Sequence, residues 1–387
     1  MNEIERTKFL TMRLKTLHAD SVKGFQQSFV AVTSDGFLPT VAMVFASVEL
    51  DLAAIGSFLI SRNIQVFGCS SCGEFSYNNN EQVITEGALV CLLLDLAPGT
   101  YRLGQFDGHG IGSFELGSSI GEWSTGAFAN PALFILASGL DTDGEQLVRG
   151  IQDTAGEGIR MFGGLAGDDA RFHETFVFSS GAVLNHGAIA LALDLDHYDI
   201  NGIASSGWVG IGADKMITHS TGNIVYTIDG APALDVYKEY LSVKDEDLPE
   251  IGIEYPLMIK KPGKQDVLRA VINVDREKRS LIFAGSVPEG SVVSFSSSPG
   301  FEVIDYTKNK VEEFYKSHPR ADVLILFSCM ARHSALGPAI SEEIDDAWAK
   351  WNIPLTGFFT YGEIGNHYTA ACDFYNQTFT LVALKEK

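Results

Sequence analysis

The residues best suited to chemistry lie in three glycine-rich turns, each closing on a glycine followed by an acid. These acidic elbows end in Gly73-Glu74, Gly167-Asp168 and Gly362-Glu363. Glycine lets the backbone approach a ligand and present N–H groups to it, and the carboxylate could orient a bound polar group. A tight turn whose carboxylate caps nearby N–H groups would have the same pattern. We therefore predict ligand contacts at Gly73, Glu74, Gly362, Glu363 and the neighbouring Tyr361.

The first elbow also contains a Cys-x-x-Cys pair, Cys69 and Cys72. Such a pair can act as a redox dithiol or as half of a metal site. A complete zinc site needs a second pair, and Cys91, Cys329 and Cys372 do not have that spacing. Small residues filling a tight turn are the alternative interpretation, and the sequence leaves both open.

A second candidate cluster follows an apolar run near the carboxyl end of the chain, at Ser328, Arg332 and His333. Loops at strand ends often carry functional groups. Arg332 could hold a ligand carboxylate, and His333 could bind a metal or a haem iron. A Ser328–His333–Glu363 triad is conceivable, but no Gly-x-Ser-x-Gly turn supports a hydrolase.

Each elbow sits between two apolar runs, with an amphipathic stretch after the first run. This strand–helix–elbow–strand order predicts three imperfect internal repeats. The flanking runs are Thr40–Ser47 and Ala88–Leu94, Leu133–Ser138 and Ala188–Leu193, and Val323–Cys329 and Thr378–Leu384.

Composition limits the class of protein. The chain has 387 residues, 45% hydrophobic and 20% charged, with a formal net charge of −21. So acidic a surface repels phosphate backbones and anionic lipid, so we expect neither nucleic-acid nor membrane binding. Residues 1–6 lack a secretory pattern, no window of about 18 apolar residues occurs, and five cysteines suit a reducing compartment. We therefore predict a cytoplasmic protein.

The patterns predict a mixed α/β (α+β) fold of two related domains, with mixed sheets packed face to face and helices outside. Val22, Phe25 and Phe29 have helical spacing, so we predict an N-terminal helical segment over 1–36. The two domains are then predicted at 37–220 and 221–387.

Several motifs resemble those of the FIST family. Gly163–Asp168 followed by an apolar hairpin resembles the FIST N-terminal domain, over 37–220. Phe327–Arg332, Pro354–Ile364 and the last strand resemble the FIST C-terminal domain, over 221–387. Leu268-Arg269 and Val287–Gly290 add to this resemblance, which covers roughly residues 30 to 387 and is most specific at 354–364.

The resemblance implies a sensory protein that binds a small ligand and is not an enzyme. Free-standing bacterial members of similar length include NosP-type sensors, which bind haem and nitric oxide and regulate a partner histidine kinase or cyclic-di-GMP enzyme. Because Gly73 follows Cys72, a covalent haem attachment motif is absent, and haem b would be held by a histidine. Loop histidines are His109, His219, His333 and His367. We select His333 because it adjoins the family's Ser-Cys-x-x-Arg segment.

Two alternatives stay open. One is a haem-free sensor that grips an amino-acid-like ligand through Arg332. The other is a thiol redox or metal-binding protein acting through Cys69 and Cys72. A homodimer is compatible with each of them, and the sequence does not select the ligand or the partner.

Overall fold

The computed structural model describes residues 12–79, 81–179, 182–248, 250–263, 265–366 and 371–387. Residues 1–11 of the predicted helical segment, and His367, lie outside the described residues. Within the described ranges the chain forms three copies of one unit, and a further sheet is inserted into the third copy.

The first unit runs from a strand through two helix-containing crossovers to an elbow, a hairpin and a closing strand. Its elements are β1 (Leu14–Ala19), α1 (Val22–Thr33), β2 (Val41–Ala46), α2 (Leu52–Ile60), β3 (Gln65–Ser70), β4 (Glu74–Tyr77), β5 (Gln82–Thr85) and β6 (Leu89–Leu94).

The second unit repeats this order, with a longer loop after its elbow. Its elements are β7 (Tyr101–Asp107), α3 (Ser113–Ala127), β8 (Pro131–Ala137), α4 (Gly144–Ala155), β9 (Arg160–Leu165), β10 (Val177–Ser179), β11 (Ala182–Leu184) and β12 (Gly187–Asp194).

The third unit begins with β13 (Tyr198–Ser205) and is then interrupted by an inserted sheet. The inserted elements are β14 (Val209–Thr221), β15 (Ile224–Ile228), β16 (Ala231–Pro232), α5 (Ala233–Leu241), α6 (Glu250–Glu254), β17 (Leu257–Ile259), β18 (Val267–Arg269), β19 (Val271–Asp275), β20 (Ser280–Phe283) and β21 (Val292–Ser297). The unit resumes with α7 (Glu302–Ser317), β22 (Val323–Cys329), α8 (Met330–Leu336), α9 (Ile340–Trp351), β23 (Leu355–Thr360), β24 (Glu363–Gly365), β25 (Asp373–Tyr375) and β26 (Phe379–Glu386).

The three units exchange hairpins in a cycle. Each unit supplies four strands of a six-stranded sheet, in the orders β1-β6-β2-β3, β7-β12-β8-β9 and β13-β26-β22-β23. Each sheet is completed by a hairpin from another unit: β10–β11 pairs with β3, β24–β25 with β9, and β4–β5 with β23. The elbows are therefore the points at which the chain leaves its own sheet for a neighbouring one.

Glycines make room for each exchange. A Cβ on Gly68 would lie 2.5 Å from the Phe178 ring of the incoming hairpin. A Cβ on the equivalent Gly357 would lie 1.8 Å from the Leu326 carbonyl and 2.5 Å from the Phe75 ring. The glycine five residues before each Gly-Glu therefore leaves space for an aromatic ring on the hairpin that another unit supplies.

One apolar core is shared by the three sheets. Phe45, Phe134, Phe162, Phe327 and Phe358 all belong to this central core, and the Phe45 and Phe358 rings stack with centroids 4.5 Å apart. Separate apolar clusters lie beneath each pair of outer helices, namely α1 and α2, α3 and α4, and α7 and α9. The predicted fold class is confirmed, with three repeat sheets around the core.

The segment predicted as helical over 1–36 also contains a strand. Leu14–Ala19 is a strand that pairs antiparallel with β6, and α1 begins only after Ser21, whose Oγ accepts the Gly24 N–H at 3.2 Å. This strand forms because β6, some 70 residues away, has a free edge with which it can pair. Local hydrophobic periodicity contains no information about such a distant partner. Phe25 and Phe29 do form the buried face of α1, as predicted.

Candidate functional site

The three elbows converge. The Cys72 N–H of the first donates to the Phe359 carbonyl at 3.0 Å, and the Leu165 N–H donates to the Gly362 carbonyl at 2.8 Å. The Gly167 N–H of the second elbow donates to the Ser70 carbonyl at 3.0 Å. Hairpin exchange explains this convergence, because each elbow crosses from one sheet to the next at the carboxyl ends of the parallel strands.

The first and third elbows are structurally equivalent, and in each of them the acidic side chain is bonded inside the protein. Ser71 donates its hydroxyl to Glu74, and Thr360 donates its hydroxyl to Glu363. Both carboxyl groups are fully buried, and Thr378 donates its N–H at 3.2 Å and its hydroxyl at 2.7 Å to Glu363. Burial raises the pKa of Glu74 to about 8 and that of Glu363 to about 7. These acids, predicted as ligand contacts, lie inside the protein.

The glycines of these elbows have backbone roles. Gly73 has a φ of 114°, a conformation that other residues rarely adopt. A Cβ on Gly362 would lie 2.3 Å from the Phe374 ring. Both positions are therefore explained by the sharp turn and the close packing around it, which was the alternative interpretation of the pattern.

The second elbow departs from the other two. After Asp168 the chain makes a loop before β10, and Asp169, Ala170 and Phe172 have φ values of 55°, 59° and 53°. A residue other than glycine in the left-handed backbone conformation costs roughly 1–3 kcal/mol of conformational free energy, and such residues are often found in ligand-binding segments. The strain is concentrated at the one elbow that does not lead directly into an exchanged strand.

Asp168 holds this strained loop in place. Its carboxylate accepts N–H bonds from Phe172 at 3.0 Å, His173 at 2.6 Å and Glu174 at 3.0 Å. It also accepts the hydroxyl of Tyr361 from the third elbow. Phe172, which remains 45% exposed, stacks on Tyr361 with ring centroids 4.9 Å apart. The loop after the second elbow and the third elbow itself thus form a partly exposed aromatic pair, Phe172 and Tyr361.

A cavity of about 320 Å³, the main chamber, lies beside this aromatic pair. One wall is the loop between β8 and α4, residues 139–143, and the other comes from the inserted sheet. The lining is completed by Leu165, Phe172, Gly222, Asn223, Ile272, Phe283, Ala284, Gly285 and Tyr361. A ligand here would touch both the three-unit body and the inserted sheet.

A smaller cavity of about 30 Å³, the inner chamber, shares four walls with the main chamber. The shared residues are Phe172, Ile272, Ala284 and Tyr361. Its remaining lining is Ala270, Cys329, Met330, Ala331, Thr360 and Asn376. The two chambers meet at the aromatic pair.

The charge of the main chamber favours neutral or cationic ligands. Its described lining contains no Lys, Arg or His, but it contains Asp141 and Asp143. Asp143 caps α4 by accepting the Glu145 and Gln146 N–H groups at 3.0 and 3.1 Å, and it accepts the Ser286 hydroxyl at 2.5 Å. Asp141 is mostly exposed, and its Oδ2 lies 3.8 Å from the His186 Nδ1.

Ion pairs fix the inserted sheet against the body below the main chamber. The fully buried Arg269 donates to Glu145 at 2.6 Å and to the Phe374 carbonyl at 3.2 Å. Lys261 pairs with Asp373 at 2.8 Å. The Leu268-Arg269 segment, which resembles a FIST motif, therefore connects the inserted sheet to the three-unit body.

Arg332 was predicted to hold a ligand carboxylate, but the structure uses it internally. It is fully buried, and its Nε donates to Glu343 at 2.8 Å. Its other nitrogens donate to Glu343, to the Thr307 hydroxyl and to the Ser206 and Gln377 carbonyls. With every nitrogen bonded inside the protein, Arg332 joins α7, α8 and α9 and is not available to a ligand.

Ser328 and His333 do not form a catalytic pair. Ser328 is fully buried, and its Oγ has no hydrogen-bond partner in the described ranges. His333 stacks on Phe359 with ring centroids 4.1 Å apart, and burial lowers its pKa. Glu363, the acid that would complete such a triad, is bonded to two threonines.

His333 lines a separate cavity of about 510 Å³, whose residues do not fit a haem. The lining includes Glu49, Glu86 and Asp169, and its one arginine, Arg171, is paired with Glu49. Haem needs a broad apolar slot and cations for its propionates, whereas this lining is acidic with few apolar side chains. His333 as haem ligand therefore stays a prediction without structural support.

Cys69 and Cys72 are both buried and belong to different apolar clusters. Cys69 packs in the central core, whereas Cys72 packs with the residues beneath α7 and α9. Burial raises the pKa of Cys69 and raises that of Cys72 to about 12, so both thiols favour the protonated form. No group of three metal-ligating side chains occurs in the described part of the chain. This environment suits packing residues.

Comparison with known families agrees with the motifs. The FIST N domain model matches residues 40–231, and the FIST C domain model matches residues 233–366. The chain belongs to the FIST family. FIST domains are sensory domains of signalling proteins. The sequence-based boundary at 220/221 precedes the point where the two matched regions meet.

Curated relatives are similar over part of the chain. The uncharacterized protein Rv0628c of Mycobacterium tuberculosis is 25% identical over 226 residues, which is 54% of this chain and 56% of that protein. The uncharacterized protein Mb0898c of Mycobacterium bovis is 26% identical over 220 residues, with the same coverage. The chain thus spans about half the length of the curated relatives it matches.

Among the described residues, no helix combines the length and apolar character needed to cross a membrane.

Proposed function

We propose that this FIST domain protein is a ligand-sensing protein, without catalytic activity, that binds a small neutral or cationic molecule in the main chamber. The observation that carries the proposal is the position of the chamber between the β8–α4 loop and the inserted sheet. A ligand that touches both can change how they fit together, which is what a sensor needs. Phe172, at the end of the strained loop, and Tyr361 line the chamber and supply its aromatic contact surface.

The partner protein that would respond to ligand binding is inferred from the family resemblance. A histidine kinase or a cyclic-di-GMP enzyme in the cytoplasm is the partner proposed for a free-standing FIST protein. Haem b with nitric oxide is the ligand that the resemblance to NosP-type sensors implies. The acidic lining around His333 argues for the main chamber as the first site to test.

The test is a thermal-shift screen of the full chain against neutral, cationic and anionic metabolites, with calorimetry on every hit. Binding to the main chamber should be lost in Phe172→Ala, which removes the exposed half of the aromatic pair. It should persist in Phe301→Ala, a matched change at a phenylalanine that is 73% exposed at the start of α7. Ligands whose binding is unchanged in Phe172→Ala, or the absence of any bound ligand in all three classes, would contradict the proposal.

Haem binding is tested separately by adding haem to the purified chain and recording its visible spectrum. A Soret band that shifts with nitric oxide and is lost in His333→Ala would favour the haem sensor. Binding in the screen with no Soret band would favour the main chamber.

A further inference from the structure

The inner chamber contains a polar side chain that nothing in the described protein satisfies. Asn376 is 1% exposed, and neither its Oδ1 nor its Nδ2 has a hydrogen-bond partner in the described ranges. Buried polar groups almost always have partners, because an unpaired one keeps the full cost of leaving water. An amide with both ends unpaired at a cavity wall therefore points to a missing partner.

The fold holds Asn376 in this position. It follows β25 directly, and its Nδ2 lies against the third elbow, 3.3 Å from where a Cβ on Gly362 would be. Side chains at both ends of this turn are buried, including Tyr375 and Thr378. A Cβ at position 362 would clash with the Phe374 ring and would also crowd the amide.

The other polar groups of the inner chamber are already used or neutral. Thr360 donates its hydroxyl to Glu363, and burial raises the pKa of Cys329, which keeps the thiol protonated. The remaining lining consists of apolar side chains and the Tyr361 ring. Asn376 is therefore the group in this lining that would set the chemistry of the occupant.

Charge excludes an anionic head group. The described linings of the two chambers contain no basic side chain, so a buried carboxylate would lack a counter-charge. The asparagine amide presents an N–H donor and a C=O acceptor side by side on one edge, and the complement of that edge is a group with an adjacent acceptor and donor. The volume of about 30 Å³ admits only a head of a few atoms.

We propose that the inner chamber binds the head of a small neutral ligand carrying adjacent C=O and N–H groups, such as a primary carboxamide or a lactam. Asn376 hydrogen-bonds both groups, and the apolar body of the ligand lies along the Phe172–Tyr361 pair in the main chamber. This inference rests on the proposed function and names the class of ligand that the site selects.

Three probes with one ring and different heads test the class: benzamide, benzoate and benzylamine. Ligand-detected NMR and calorimetry on the full chain should show benzamide binding at least ten-fold more tightly than the other two. Asn376→Leu should weaken benzamide at least ten-fold and should raise the melting temperature, because it replaces an unpaired buried amide by an apolar group of similar size. Asn309→Leu, at an exposed position of α7, should leave both unchanged.

The outcomes separate the inference from the proposed function. Equal binding of benzoate or benzylamine, or benzamide binding unaffected by Asn376→Leu, would overturn the amide class, while loss in Phe172→Ala would still support a ligand site. A higher melting temperature for Asn376→Leu with no benzamide binding to the wild type would mean that Asn376 holds only water. Absence of every Phe172-dependent ligand in the metabolite screen would count against the proposed function itself.

Discussion

The hydroxyl of Tyr361 donates a hydrogen bond to Asp168, which lies 193 positions earlier in the chain. This bond joins the third elbow to the second. Because Asp168 also accepts the N–H groups of residues 172–174, it links the tyrosine at the chamber to the conformation of the strained loop. The residue pair is thus the point where a ligand beside Tyr361 could alter the loop.

Tyr361→Phe should loosen that loop without removing the aromatic stack. A hydrogen bond to a charged group contributes about 1.5–3 kcal/mol, so we expect a loss of that order in the free energy of unfolding. Hydrogen exchange at the Phe172, His173 and Glu174 amides should become faster. Tyr306→Phe, at a tyrosine of α7 that is 43% exposed, is the control and should change neither quantity. Unchanged exchange in Tyr361→Phe would show that Asp168 orders the loop alone.

The packing of Gly357 against β22 of its own unit and against the exchanged strand β4 leads to a second prediction. Alanine there would place its Cβ 1.8 Å from the Leu326 carbonyl, a backbone atom that cannot move aside cheaply. We expect Gly357→Ala to lower the free energy of unfolding by about 3 kcal/mol or more, measured by urea denaturation. Gly126→Ala in α3 has nothing within 4 Å and should be neutral or stabilising by about 0.5 kcal/mol. Similar behaviour of the two variants would refute the role assigned to the glycine.

The repeats and the elbows could be predicted from sequence because glycine, acid and apolar runs recur in one order. Tyr361, predicted as a ligand contact on the same pattern, lines both chambers, whereas Gly362 lines neither. Hairpin exchange could not be predicted, since β4 pairs with β23 through residues some 280 positions apart. Phe172 and Asn376 carried no motif, and their importance arises from a strained backbone and from an unpaired amide.

Arg332 shows the limit of reading chemistry from residue type. An arginine beside a loop histidine suggested a ligand clamp, whereas the structure pairs the Nε and Nη2 of this guanidinium with Glu343 of α9. Glu342 and Glu343 both lie in the first turn of α9. Which of the two faces the core depends on how α9 packs, and that is a property of the whole fold.

Arg332→Ala should therefore act on stability. Removing one partner of a buried ion pair leaves the other charge uncompensated and costs about 3–5 kcal/mol. Lys308→Ala breaks a pair with Glu342 at 3.1 Å on the exposed side of the same helices and should cost less than about 1 kcal/mol. Urea unfolding of both variants checks the difference. A small stability change with complete loss of ligand binding would restore the ligand-clamp interpretation of Arg332.

Glu74 should make stability depend on pH. Burial raises its pKa in the folded chain to about 8, against roughly 4.3 for an unfolded glutamate. The folded chain then binds more protons than the unfolded chain between these values, so the stability contributed by protonated Glu74 is complete below about pH 4.3 and is lost as the pH rises towards 8. The loss approaches about 1.4 kcal/mol per pH unit inside that window.

Glu74→Gln replaces the carboxyl group by a neutral amide of similar shape and should remove this term. Urea unfolding at intervals from pH 4.5 to 8 should show the wild-type free energy of unfolding falling relative to that of Glu74→Gln as the pH rises. Glu122→Gln, at an exposed site on α3, keeps the buried acid and should run parallel to the wild type. If the curve of Glu74→Gln also runs parallel to the wild type, Glu74 adds no pH-dependent term, and the prediction of a protonated buried Glu74 is wrong.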